Sequence, residues 1–224
     1  VDEVVAKRVQ MLIDYQDAEY SERYTDMLDL VKAIEVIKFS KTGAIYEAVA
    51  KSYYKLMAYK DEYEVARLYT NGEFKRKLEA QFEGSFKLKF HMAPPIFEKK
   101  DKVTGEIRKR EFGPWMMGAL KLVAKVKFLR GSVFDIFGYS SERKMERELI
   151  EEYESLVHLI LDKLNEDNYQ LCFEILELPL SYKGYGHVKE RNIKLAKLKQ
   201  EKLIEKLDHG QDIKKGLLNK EYAT

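Results

Sequence analysis

The chain has 224 residues, 45% of them hydrophobic and 35% charged, with a formal net charge of +2 at pH 7. That balance excludes a disordered polyelectrolyte, and no apolar run reaches membrane-spanning length, so a globular chain with its own core is expected. The single cysteine, Cys172, excludes an internal disulfide and a cysteine-ligated iron–sulfur cluster and points to a reducing, cytoplasmic setting.

At the N-terminus, Val5, Val9, Leu12, Tyr20, Tyr24, Met27, Val31 and Ile34 recur at spacings of three and four. This predicts helix over 2–37, with a break near Gln16 dividing it in two. The opening VDEVVAKRVQ has no apolar leader core. Because it begins directly in an amphipathic pattern, the expectation is a piece of a longer polypeptide. A turn at 41–43 leads to a second helix, expected over 44–69 with Ile45, Val49, Tyr53, Leu56 and Met57 inward. Thr70-Asn71-Gly72 should end it. Phe74, Leu78 and Phe82 mark a short third helix.

The period then changes. Phe86, Leu88, Phe90 and Met92 alternate with Lys87, Lys89 and His91, which predicts a strand with one apolar and one basic face. Residues 106–112 are expected to return as its partner, giving a small β-hairpin over about 85–112. Pro114 suits a first helical turn and Gly131 a helix stop. Between them Trp115, Met116, Leu120, Leu122, Val126 and Phe128 point in nearly every direction. A helix apolar all round is normally buried, so a buried central helix is expected over about 114–130. Its Lys121 and Lys125 either snorkel to solvent or, as is expected, pair with carboxylates, for which Glu146, Glu148, Glu151 and Glu152 are available.

Beyond the connector at 132–139, Ser140 or Ser141 should cap a helix with Met145, Leu149, Tyr153, Leu156, Ile160 and Leu164 inward. A further helix over 166–178 ends at Pro179, and a last one runs over 187–207. Residues 209–224 are expected to fray. The fold class is therefore mostly α: a helical bundle around a buried central helix, with a small inserted β-hairpin, in one domain over 1–208.

Positive charge gathers in the middle of the chain. Residues 85–131 carry 12 Lys/Arg against 4 Asp/Glu, whereas residues 1–84 and 132–224 are each net −3. Two clusters are candidate anion sites. Arg108, Lys109 and Arg110 could line the hairpin with Lys87, Lys89 and His91 and contact phosphate. The other cluster is Lys183, Gly184, Gly186, His187, Lys189 and Arg191, where glycines before a helix let N–H groups face an anion. Plainer readings stand beside both. The hairpin lysines could be a solvated face that discourages edge pairing. The glycine loop could be a turn whose Lys189 and Arg191 pair with acids such as Glu148 or Glu190. It is not a dinucleotide fingerprint, since the third glycine is a lysine and no strand precedes it.

Catalytic signatures are missing: there is no GxxxxGK(S/T), HExxH or GxSxG, and the four histidines are scattered. No catalytic residue and no metal ligand is assigned. Nucleic acid is not expected as a partner, because the overall charge is near neutral and aromatics do not interleave with the lysines. Nor is a membrane.

Four segments occur in an order and spacing that carry a resemblance. They are DEVVAKRVQMLIDYQDAEYSERY (2–24), KLMAYKDEYEVARLY (55–69), the stretch from RKREFGPWM to FLRGSVFDIFG (108–138), and YKGYGHVKERN (182–192). Together they resemble the C-terminal region of fused bacterial indolepyruvate ferredoxin oxidoreductases, in the 2-oxoacid:ferredoxin oxidoreductase family, over about 2–207. The resemblance implies a parent enzyme that oxidatively decarboxylates aryl-pyruvates to acyl-CoA. Such a parent uses thiamine diphosphate, Mg²⁺ and iron–sulfur clusters and passes electrons to ferredoxin. It also implies upstream catalytic domains as partners and a homo-oligomeric parent. This chain has no Gly-Asp-Gly start for a thiamine diphosphate site and only one cysteine, so none of those cofactors is expected in it. The implied role is a non-catalytic accessory domain that helps domain packing or dimer assembly. The alternative is a module that binds an anion, CoA or a substrate carboxylate.

Overall fold

The computed structural model describes residues 2–82, 87–92 and 110–221, with side chains as far as Gly210. The chain divides into two compact units: residues 1–58 with 145–224, and residues 59–144 between them.

The first unit opens with α1 (Asp2–Tyr15) and α2 (Ala18–Phe39), separated near Gln16 as the apolar stripe predicts. Asp17 makes the break by capping α2: its carboxylate accepts from the Tyr20 N–H at 2.8 Å. α3 (Ala44–Met57) follows, and packs on α2 and on α8 (Tyr169–Glu177). α7 (Ser141–Lys163) enters this unit from residue 145, and α9 (Gly186–Glu221) closes the chain. The short helical turn Leu178–Ser181 contains Pro179 and receives both α3 and α9. α3 is the buried helix of this unit. Ile45, Val49, Tyr53 and Met57 are fully buried on it, as are Ala48, Ala50 and Ser52. Its small residues allow close approach on several sides, while Glu47 and Lys51 share the one wet face as an ion pair. At its entrance the buried Glu35 carboxylate accepts from the N–H groups of Gly43 and Tyr46 and from the Tyr169 hydroxyl. Orphan donors at the helix start are thereby satisfied.

The second unit holds α4 (Glu62–Thr70), α5 (Glu73–Gln81), β1 (Phe90–Met92), β2 (Arg110–Phe112) and α6 (Met116–Lys125), then a single 3-10 turn at Lys127–Leu129. The strands pair antiparallel with Phe90 opposite Phe112, His91 opposite Glu111 and Met92 opposite Arg110. The mostly-α class with a small inserted hairpin is thus the observed fold. The alternation read from the sequence holds too: Phe90 is buried, Leu88 and Met92 are half-buried, and Lys87, Lys89 and His91 are exposed. Phe90 joins Ala66, Met116 and Leu120 in a small core. Phe86, Arg108 and Lys109 lie outside the described residues.

Two expectations need correction. The helix expected over 44–69 is two helices, because the chain leaves helical geometry at Ala58 and Asp61 caps a new start by accepting from the Glu64 N–H. The helix expected to be buried and central is buried along one face only. α6 is ten residues long and buries only Met116 and Leu120, while Trp115 and Leu122 are 64% and 65% exposed. The reason is layer number. α6 packs on α4 and the hairpin core along one face, and the opposite face, with Leu122, stays exposed. Apolar composition called for burial on both sides, but one packed layer buries only one. Lys121 and Lys125 are exposed on that outer side.

Candidate functional site

The hairpin's basic face is partly neutralised by its own second strand. Register places Glu111 opposite His91, and the carboxylate meets Lys89 at 2.7 Å and His91 at 3.9 Å. The Lys89 ammonium holds the Glu111 carboxyl below the ordinary carboxylate range by hydrogen bonding and charge. Arg110 is exposed at the end of this ladder, opposite Met92. Of the hairpin trio it is the one described residue.

The glycine loop is built differently. Gly184 and Gly186 have φ of +99° and +51°, backbone states that a side chain disfavours. A Cβ on Gly184 would stand 2.7 Å from Val188 Cγ1, so the turn folds tightly onto the first turn of α9. The Asn192 amide donates to the Lys183 carbonyl at 2.8 Å and pins the loop from above. Lys183, His187 and Arg191 are exposed. Lys189 is half-buried and reaches back to the buried Glu146 carboxylate at 2.5 Å. Lys189 is therefore engaged with an acid, as the plainer reading has it, though with Glu146 in place of Glu148 or Glu190.

Here the fold adds a residue that sequence reasoning missed. Lys55, on α3, donates to the carbonyls of Pro179 at 2.8 Å and Leu180 at 2.9 Å, just before the loop. Burial, together with the positive charges of Lys189 and Lys183, lowers its ammonium pKa to about 8. The charges of Lys183 and Lys189 thus act on Lys55, opposed in part by the Glu146 carboxylate that Lys189 engages. The surplus positive charge lies at a helix start, an arrangement able to attract an anion. A lysine more than 120 residues upstream has no sequence signal tying it to this loop.

The second unit carries a more enclosed polar network, also unforeseen. The Arg130 guanidinium grips Asp61 through two hydrogen bonds, 2.5 and 2.9 Å, with both side chains under 5% exposed. Asp135, also buried, accepts from the Tyr63 hydroxyl at 3.0 Å and from the N–H groups of Gly131, Phe137 and Gly138. Burial and this carboxylate raise the Tyr63 phenol pKa. The groups satisfy one another, and their effect is to fix the loop 130–139 against the start of α4.

Cys172 is fully buried, and burial pushes its thiol up to about 11, away from a ligating thiolate. Among the described residues no three His, Cys, Asp or Glu side chains come together as a metal set. No described helix is long and apolar enough to cross a membrane.

No curated protein and no solved structure matches the chain. A family model described as "Family of unknown function (DUF6537)" matches residues 1–202, nearly the whole described chain, and the protein belongs to that family.

Proposed function

We propose that this chain is a non-catalytic accessory domain of a thiamine diphosphate- and iron–sulfur-dependent indolepyruvate (2-oxoacid) ferredoxin oxidoreductase, and that it helps domain packing or dimer assembly. The observation that carries the reading is the ordered set of four segments at 2–24, 55–69, 108–138 and 182–192 that resemble the C-terminal region of such enzymes. The structure supplies support of a different kind. Its buried acids are engaged in holding the fold: Glu35 at the start of α3, Asp61 with Arg130, Asp135 in its loop, and Glu146 with Lys189. Large apolar side chains, by contrast, stand outside, as on a surface made for packing. In this reading the catalytic domains hold the cofactors and meet ferredoxin in the cytoplasm, and the parent is a homo-oligomer.

The test is deletion of the domain from the full-length enzyme, with the assembly state followed by light scattering and turnover by reduction of ferredoxin. The expected result is loss of the native oligomer and at least a tenfold fall in turnover. Assembly and turnover both unchanged would reject the proposal.

One observation favours a second role, binding of CoA phosphate or a substrate carboxylate. It is the positive charge of Lys183 and Lys189 acting on Lys55, which is bonded to the carbonyls of Pro179 and Leu180 just before the Gly184–Gly186 turn. Calorimetry with CoA tests it. Binding in the millimolar range or tighter, weakened several-fold by Lys183→Ala, is the expected result. No heat up to millimolar CoA would remove this role and leave the first proposal standing.

A further inference from the structure

The stretch from Trp115 to Tyr139 joins three features that belong together. First, it exposes large apolar side chains in quantity. Trp115, Leu122, Phe128, Val133, Phe134 and Ile136 are each between 64% and 76% exposed. Single exposed apolar residues are ordinary, but six within 22 positions point to a contact segment. Trp115, the helical-geometry residue just before α6, and Leu122 on it are seven residues apart and so lie on one side, away from the buried Met116 and Leu120.

Second, the exposure is held in place. Left to itself a loop reading SVFDIFGY would turn its apolar side chains inward. Here Arg130 is anchored on Asp61, and Asp135 gathers three loop N–H groups and the Tyr63 hydroxyl. The Tyr139 hydroxyl donates to the Val133 carbonyl at 2.7 Å and closes the loop on itself. Asp135 faces in and Phe137 packs edge-on against Tyr63, while Val133, Phe134 and Ile136 face out.

Third, the exposed charge is of one sign. Between Gly113 and Ser141 the single carboxylate is Asp135, and it is buried. Lys121 and Lys125 are exposed beside Leu122.

We infer that the Trp115–Tyr139 stretch docks into an apolar protein surface edged by carboxylates. Charge complementarity fixes the edge, since Lys121 and Lys125 need acids and the stretch has none to offer. The fixed loop argues for a protein over a bilayer. A preset shape lowers the ordering cost of fitting a shaped partner, whereas a fluid headgroup layer gives it no advantage. Two exposed lysines also attract an anionic leaflet only weakly. A second copy of the stretch is disfavoured, because it offers no exposed carboxylate to meet these lysines. The inference rests on the accessory-module reading, of which it names the contact face.

The experiment places the photo-reactive p-benzoylphenylalanine at position 134, or in a second variant at 122, in the full natural polypeptide. Cells expressing it are irradiated and cross-links are mapped by mass spectrometry. A melting temperature equal to the parent's confirms folding, as both sites are exposed. The expected result is cross-links to a protein segment rich in Asp or Glu beside apolar residues, with yield reduced at least fivefold by Lys121→Glu with Lys125→Glu. Each of the following would overturn the inference: cross-links only within this domain or between position 134 of two copies; a partner segment without carboxylates; yield unaffected by the charge reversal; no protein cross-link; or co-sedimentation with phosphatidylserine vesicles that needs Phe134. The partner's identity separates this inference from the function proposed above. A carboxylate-edged partner outside any oxidoreductase keeps the docking face and rejects the enzyme assignment. Loss of turnover on domain deletion without cross-links does the reverse.

Discussion

Lys55 shows how one residue changes meaning between sequence and fold. In the sequence it is one more polar position on an amphipathic helix. In the structure it serves two carbonyls, at Pro179 and Leu180, and sits within reach of the charges of Lys183 and Lys189. Its folded pKa, about 8, lies below the ordinary 10.5. Between those values the unfolded chain binds the proton and the folded chain sheds it, so this group's contribution to stability rises as pH climbs from 8 to 10.5. Below pH 8 both states are protonated and the cost of burying the charge is fully present. Selective labelling of lysine side chains for NMR should give a Lys55 midpoint near 8, and Lys183→Ala should move it upward by removing a like charge. A midpoint near 10.5 in the folded protein would refute the crowding of lysines at this loop.

At the scale of elements, the turn before α9 carries the tightest local constraint. Gly184 combines a left-handed φ with a neighbour, Val188, whose branched side chain occupies the place of a Cβ. Gly184→Ala should destabilise the protein by about 1–3 kcal/mol in urea titration, the range for a strained backbone residue. Gly118 on α6 is the control: nothing lies within 4 Å of its Cβ position and its φ is helical. Gly118→Ala should be neutral or stabilising by up to about 1 kcal/mol, through helix propensity and the unfolded state. Equal losses at the two glycines would show that the turn geometry is unimportant. The elements themselves were largely readable. The α1–α2 break and the alternation of β1 follow from spacing and from Asp17. The α3–α4 break did not, because its cause is Asp61, an ordinary cap residue in a helical-looking run whose second carboxylate role, holding Arg130, is made 69 residues away.

For the whole molecule, the two units rest on different cores. The unit around α3 buries Leu12, Tyr24, Val31, Ile45, Val49, Ile160 and Ile175 completely. The unit over 59–144 has a small apolar cluster at Ala66, Phe90, Met116 and Leu120, and the Arg130–Asp61 pair beside it. Arg130→Met leaves a buried carboxylate without its countercharge, a loss of about 3–5 kcal/mol. That loss should be confined to the second unit. Hydrogen exchange should speed up over 61–70 and 116–139 while α3 and α8 keep their protection. Uniform acceleration across both units would contradict two separately stabilised cores.

The sequence by itself determined the class of fold, most helix positions, the register-defining alternation of the hairpin and the absence of familiar catalytic signatures, because these depend on local spacing and local chemistry. Half of the candidate site was equally legible, since glycines ahead of a basic helix start announce themselves. Tertiary structure alone decided which helix is buried, where Lys55 meets the glycine loop, and that Asp61, Arg130 and Asp135 form an interior network. Those outcomes depend on how many layers cover a helix and on partners tens of residues apart. An apolar pattern states that a side chain gains by leaving water, not whether this chain supplies the surface that lets it do so. For the segment around Trp115, the described residues of its own unit supply that surface on one side only.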